Sequence, residues 1–205
     1  MKKTVICNIS MKEIVEETVY LSNDLSVPVS DRAVRYPVNA FLEKNLSEGE
    51  EVKVILLLKK DEFGHYQKNK EDFEKELNEV IAQCNAQVSI KVIDTEFSQE
   101  IAIHEQLMGR IIDEIEDESH IIADITFGPK DVPIIVFAAL GFAEKFLGCE
   151  VDAIVYGQAS FVDGHVVNTK ICDMSSLYYL SSVANTIKCE EPQKARKTLK
   201  SLLSL

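Results

Sequence analysis

The chain has 205 residues, which fits one α/β domain, and 46% of them are apolar, enough to bury a core. A net charge of −12 argues against a duplex nucleic-acid binder, since phosphate neutralisation needs a surplus of Lys and Arg. It leaves room for a small anion held in one pocket by backbone amides and a few cations. No apolar run is long enough to span a bilayer; the run 132–142 is too short and Glu144-Lys145 follows it.

Met1-Lys2-Lys3 runs straight into Val5-Ile6-Cys7-Asn8, without the apolar region and cleavage site of a signal peptide, so a cytoplasmic protein is expected. Residues 4–9 read as a continuous apolar strand of a parallel sheet covered on both faces. Residues 11–31 are ambiguous, a helical or extended excursion containing Pro28. Residues 36–46 have helical spacing in Val38, Leu42 and Leu46, and stop near Gly49. Residues 52–58, Val-Lys-Val-Ile-Leu-Leu-Leu, are the second strand, and 61–68 a polar loop.

Residues 71–84 form an amphipathic helix with Phe73, Leu77, Val80, Ile81 and Cys84 on one side. A third strand over 88–93 leads to a long amphipathic helix over 98–117, with Ser98 at its start. The fourth strand is 120–125. Residues 132–147 are a helix apolar nearly all round, with Gly148 as its stop, and therefore buried on more than one side or set at a subunit interface. The fifth strand is 152–156. Residues 159–162 and 166–171 flank Asp163-Gly164-His165, a hairpin signal. A helix over 175–187 and a basic, leucine-containing tail or helix over 191–205 complete the chain.

Strand and helix alternate with short gaps, which predicts a doubly wound α/β fold over residues 1–190: a mostly parallel sheet, helices on both faces, and a C-terminal hairpin and helix. In such a fold a ligand sits outside the carboxyl ends of the strands, where the strand order reverses. Two loops would meet there, Asn8-Ile9-Ser10-Met11 after the first strand and Thr126-Phe127-Gly128-Pro129-Lys130 after the fourth. In Asp124-Ile125-Thr126-Phe127-Gly128-Pro129-Lys130-Asp131, Asp124 and Thr126 can hydrogen-bond and Gly128 lets the backbone come close. The amides opening the following helix attract anions.

The order Asp-x-Thr-x-Gly from Asp124 to Gly128 resembles the signature of the CARF family, the CRISPR-associated Rossmann-fold sensors, in the branch that reads Asp-x-Thr-His-Gly. Arg35-Tyr36-Pro37-Val38-Asn39-Ala40-Phe41 and the strand end Val155-Tyr156-Gly157 agree with it, so the resemblance covers most of the chain. Phe127 stands where that branch has His, so a role resting on that His does not carry over. The resemblance implies a Rossmann-like sensor domain in which two copies of both loops, supplied by a homodimer, hold a cyclic oligoadenylate. Cyclic tetra-adenylate has matching two-fold character. No effector RNase domain is expected: Arg110 and His120 do not form Arg-x-x-x-x-His, and little chain follows residue 187.

The side chains suggest roles. Asn8 and Ser10 can bond phosphate or the ribose 2′-OH, and Thr126 with the Gly128 amides can cradle a phosphate. Lys130 supplies a positive charge or pairs with Asp131. Phe127 either stacks on adenine or closes the turn as a core residue. Asp124 fixes the loop by accepting backbone N–H bonds. Tyr156, Gly157 and Gln158 end the fifth strand on the same edge; Tyr156 is a ligand contact or a half-buried core aromatic, and Gln158 can reach a ribose or adenine edge. Ile9, Met11 and Pro129 complete the ligand-binding set. Arg35 and Tyr36 approach the pocket on the resemblance alone. His165 reads as a solvated turn residue and His120 as remote.

The odd count of five cysteines without Cys-x-x-Cys, and four scattered histidines, predict neither disulfides nor a metal site, and no cofactor is expected. Ring cleavage would then need no metal: the 2′-OH attacks its neighbouring phosphate, served by Ser10, Thr126 and Lys130. Three functions are compatible with these residues: a slow, metal-independent ring nuclease; a sensor that passes the binding event to a separate effector protein; and a nucleotide-binding enzyme of other chemistry.

Overall fold

The computed structural model describes residues 1–22, 27–60, 62–96 and 98–203. The expected excursion 11–31, loop 61–68 and tail 191–205 include positions 23–26, 61 and 204–205, which lie outside the described residues. In chain order the elements are β1 (Lys2–Asn8), β2 (Thr18–Val19), β3 (Ala33–Val34), α1 (Pro37–Asn45), β4 (Glu51–Lys60), α2 (His65–Cys84), β5 (Gln87–Glu96), α3 (Ile101–Glu114), β6 (His120–Asp124), α4 (Asp131–Phe146), β7 (Glu150–Val162), β8 (His165–Asp173), α5 (Ser175–Thr186) and α6 (Pro192–Leu203).

The main sheet has the order β5-β4-β1-β6-β7-β8, parallel from β5 to β7 with β8 antiparallel at the edge. Alternation along the strands divides the core. Val5, Cys7, Val54 and Leu56 face α1 and α2, meeting Val38, Leu42, Phe73 and Leu77. Ile6, Ile55, Leu57 and Ile121 face α3 and α4, meeting Leu107, Ile111, Val136 and Leu140, with Tyr178 of α5 on the same side. Each such side chain, removed from water, contributes about 1.5–3 kcal/mol, and covering both faces explains the continuous apolar runs of β1, β4 and β6. This is the doubly wound, Rossmann-like α/β fold. From β1 the chain crosses to β4 on one side, while β6 lies on the other, so the strand order reverses between β1 and β6.

Besides α3, which spans Ile101–Glu114 after Glu100 where 98–117 with Ser98 at its start is expected, three local features depart from or complete the sequence expectation. First, α2 begins at His65, within the expected polar loop, because Asn69 is buried and its amide donates to the carbonyls of Ser10 (2.7 Å) and Lys12 (2.8 Å). Second, the expected fifth strand and first hairpin arm are one strand, β7, with a register shift between Gln158 and Ser160. The turn is Asp163-Gly164, both at positive φ (50° and 84°), which suits a two-residue hairpin connection and leaves His165 as the first residue of β8. Third, the ambiguous stretch after β1 contributes β2, which pairs antiparallel with β3 and forms a small separate ladder.

The apolar helix α4 buries Val132, Ile135, Val136, Ala139, Leu140 and Ala143, but Ile134 is 72% exposed. It closes at Gly148, where φ is +67°. No helix among the described residues is long and apolar enough to cross a membrane.

Candidate functional site

The turns after β1 and β6 meet at the point where the strand order reverses, and β7 borders them. Buried Asp124, the last residue of β6, ties the three together. Its Oδ1 accepts the Thr126 N–H (2.8 Å) and its Oδ2 accepts the Val38 N–H in the first turn of α1 (3.2 Å). The expected loop-fixing role is what this carboxylate performs. Burial raises its pKa from 3.8 to about 6, against the lowering effect of its bonds with Thr126 and Val38. The Thr126 Oγ1 accepts the Gly157 N–H at 2.7 Å, joining the β6 turn to β7.

Two glycines set how closely these segments approach. At Gly157 a Cβ would stand 2.3 Å from the Cγ of Pro37, which opens α1. At Gly128, where φ is +96°, a Cβ would stand 1.7 Å from the Asn8 amide nitrogen. Asn8 therefore packs under Gly128. It is 3% exposed, and neither polar atom of its side chain has a hydrogen-bond partner among the described residues. Such a buried amide is costly to leave unsatisfied; covered by Gly128, Asn8 is not among the residues that line the cleft above it, where the sequence expectation places it.

Above these turns lies a cleft of about 480 Å³, within the range of small-molecule sites, about 300–1,000 Å³. Its walls include Ser10, Thr126, Phe127, Tyr156, Arg35 and Lys12. The segment after β1 forms one wall and is stitched to the β7–β8 hairpin. Glu16 accepts the Val166 N–H (2.9 Å) and pairs with His165 Nδ1 (3.1 Å), and these contacts hold its carboxyl below the usual range. The Lys12 ammonium lies 4.6 Å from the Phe161 ring centroid.

Arg35 is fixed from behind. Buried Glu76 accepts the N–H groups of Arg35 (2.7 Å) and Tyr36 (3.2 Å) and the Asn39 amide (2.6 Å); burial raises its carboxyl pKa despite these bonds. The Arg35 guanidinium pairs with Glu17 (2.5 Å) and lies 3.9 Å from Asp72.

Of the residues singled out in the sequence, Ser10, Met11, Thr126, Phe127, Gly128, Tyr156 and Gly157 line the cleft. Phe127 closes the turn as expected of a partly buried core residue, its ring packed edge-on against Tyr36 at 5.2 Å, and it also lines the cleft. Tyr156 is 37% exposed at the rim. The others are placed elsewhere. Ile9 is a core residue, 1% exposed, because its N–H continues the ladder to the Leu57 carbonyl (2.9 Å). Pro129 and Lys130 fall outside the lining because the chain passes to the opposite face of the sheet after Gly128; the Pro129 carbonyl accepts the Val132 N–H, and exposed Lys130 borders a groove between α3 and α4. Asp131 pairs with buried Lys59 at 2.7 Å. Gln158 is exposed outside the lining, its amide oxygen accepting the Cys172 thiol at 3.6 Å. Tyr36 lies beneath the cleft, its hydroxyl donating to the Asn69 carbonyl.

Lys12, Glu16 and Phe161 were not foreseen. Strand alternation counted from Gly157 would have found Phe161; the Glu16–Val166 contact spans 150 residues and leaves no local signal. All five cysteines are free. Among the described residues, one group has metal-ligand spacing, His120 with Glu150 and Asp152. It lies at the amino end of the sheet, away from the cleft, and includes a hydrogen bond of 2.8 Å between His120 Nδ1 and Asp152 Oδ1. The 30-residue separation of its members in sequence hid it. No protein-family model matches the chain, and no curated protein matches its sequence.

Proposed function

We propose that the protein binds cyclic oligoadenylate, cyclic tetra-adenylate in particular, in type III CRISPR antiviral signalling in the cytoplasm. In this reading a homodimer sets two clefts against a ligand of two-fold character and cleaves the ring slowly without metal. A ribose 2′-OH gives up its proton as its oxygen bonds to the adjacent phosphorus, the P–O5′ bond breaks, and the 5′-oxygen takes up a proton, so that none is gained or lost overall. The product is linear with a 2′,3′-cyclic phosphate. The observation that carries the reading is the cleft itself: two polar turns at the reversal of strand order, with Lys12 and the Glu17-paired Arg35 as the cations that would meet phosphate and Tyr156 and Phe161 as the rings that would meet adenine. Arg35 and Lys12 take the cationic role for which the sequence offered Lys130.

A second reading, a non-catalytic sensor acting on a separate effector, is favoured by one observation. The Thr126 hydroxyl accepts the Gly157 N–H and the Ser10 hydroxyl accepts the Lys12 N–H (3.2 Å), so both already hold the loops. Incubation with radiolabelled cyclic tetra- and hexa-adenylate in EDTA separates the two. Linear product is expected from the tetramer. Arg35→Ala should weaken binding about ten- to a hundredfold, the loss of a charge-assisted bond, while Lys130→Ala leaves affinity unchanged. Ser10→Ala should slow cleavage more than it weakens binding. A ring bound but recovered intact leaves the sensor; binding of neither ring removes both readings.

A further inference from the structure

The sequence of α6, Pro-Gln-Lys-Ala-Arg-Lys-Thr-Leu-Lys-Ser-Leu-Leu, is strongly two-faced. Ala195, Leu199, Leu202 and Leu203 fall on one side at helical spacing, and Lys194, Lys197 and Lys200 on the other. Yet α6 buries no residue, and Leu202 and Leu203 are 45% and 54% exposed. An isolated helix of 12 residues is marginal in water, so this one needs a surface to lie on. Its charge indicates which kind. The helix holds four Lys and Arg and no acid, which leaves the rest of the chain at −16 against −12 for the whole. A body of that charge is repelled by an anionic membrane or nucleic acid and attracts the helix.

The same chain offers a complementary surface. Between α3 and α4 runs a groove of about 560 Å³ with Met108, Ile134, Ile135 and Ala138 among its lining. Ile134 is 72% exposed. Exposed Glu105 borders it, and Asp113, also exposed, lies two turns further along α3. Lys130 and His104 also line it, near Asp131. We infer that α6 of one copy docks its leucine stripe into the α3–α4 groove of a second copy, its lysines toward Glu105 and Asp113, and that the exchange is reciprocal about a two-fold axis. The inference shares with the proposed function only the second copy; it does not depend on the ligand.

The test uses the full chain without ligand in sedimentation equilibrium. Wild type is expected to be a dimer that weakens with added salt. Leu199→Asp/Leu202→Asp on α6 and, separately, Ile134→Glu in the groove should each raise the dimer dissociation constant at least tenfold, with a cooperative thermal transition of the α/β body retained and a loss of helical circular dichroism no larger than the 12 residues of α6. Mixing the two variants should restore a dimer, because one copy keeps an intact groove and the other an intact helix. A monomeric wild type overturns the inference, as does a dimer indifferent to the α6 substitutions. Failure of the mixture to associate overturns it as well, because an intact helix and an intact groove then do not meet. Flotation of the wild type with phosphatidylserine vesicles, lost in the α6 variant while its dimer persists, would overturn it in favour of a membrane surface.

Discussion

Gly157→Ala is expected to lower the melting temperature by about 2–12 °C and to abolish the cyclic tetra-adenylate binding proposed for the cleft. The added Cβ would meet the Pro37 Cγ at 2.3 Å and the Pro37 Cβ and Tyr20 Cε1 at 3.1 Å. None of these atoms can step aside alone. Pro37 is a rigid ring opening α1, and Tyr20 is 5% exposed. The first turn of α1 must therefore move from β7, and overpacking of this kind costs about 1–3 kcal/mol, or about 2–4 °C for each kcal/mol in a chain of this size. The same movement pulls on the Val38–Asp124 and Gly157–Thr126 bonds that hold the cleft floor. The matched control is Gly109→Ala, in α3, where an added Cβ meets nothing within 4 Å; it should stabilise by about 0.5–1 kcal/mol. Thermal unfolding of both variants checks this, and a Gly157→Ala protein melting with wild type would remove Gly157 as the limit on how closely α1 approaches β7.

Sequence reading reached this floor only in part, and the division follows the range of the forces. Apolar runs such as Val54-Ile55-Leu56-Leu57 and spacings such as Phe73, Leu77 and Val80 are local records of burial on a sheet and on a helix, so strands, helices and the place of the switch point were legible. Asp124 was legible too, since a carboxylate just before a Thr-x-Gly turn accepts N–H groups within reach of its own backbone. Lys130 was not. A lysine two residues after the Gly128 turn looks like a phosphate ligand in one dimension, but the chain crosses to the other face of the sheet in those two residues. The wall built by Lys12 and Glu16 was illegible for the opposite reason: their partners, Phe161 and Val166, lie on a hairpin near the other end of the chain, and no periodicity marks such a contact.

Stability is expected to fall as pH rises from about 4 to 7.5, the reverse of the common carboxylate behaviour. Asp124 is the main cause. It is 5% exposed, and burial lifts its pKa to about 6 from an ordinary 3.8. A carboxyl raised in the folded state contributes stability that is full below its unfolded value and is lost as pH passes through the folded one; a difference of about two pH units corresponds to about 3 kcal/mol. Glu76, also raised by burial, adds to the same slope. Cys7 from β1 and Tyr20 face Asp124, but its charge and their own burial push both upward, so they stay neutral over this range. Asp94 and Glu114 are lowered by their lysine partners, so their contributions are lost only as pH falls below about 4, which turns the profile down on the acid side. Urea unfolding at pH 5, 6 and 7.5 should give its highest midpoint at pH 5. Asp124→Asn keeps one acceptor for the Thr126 or Val38 N–H but cannot ionise, so it should flatten most of that decline while lowering stability at pH 5, where the second N–H is left unpaired. An Asn variant that declines as steeply as wild type would show that the buried carboxyl at the base of the cleft is not what titrates.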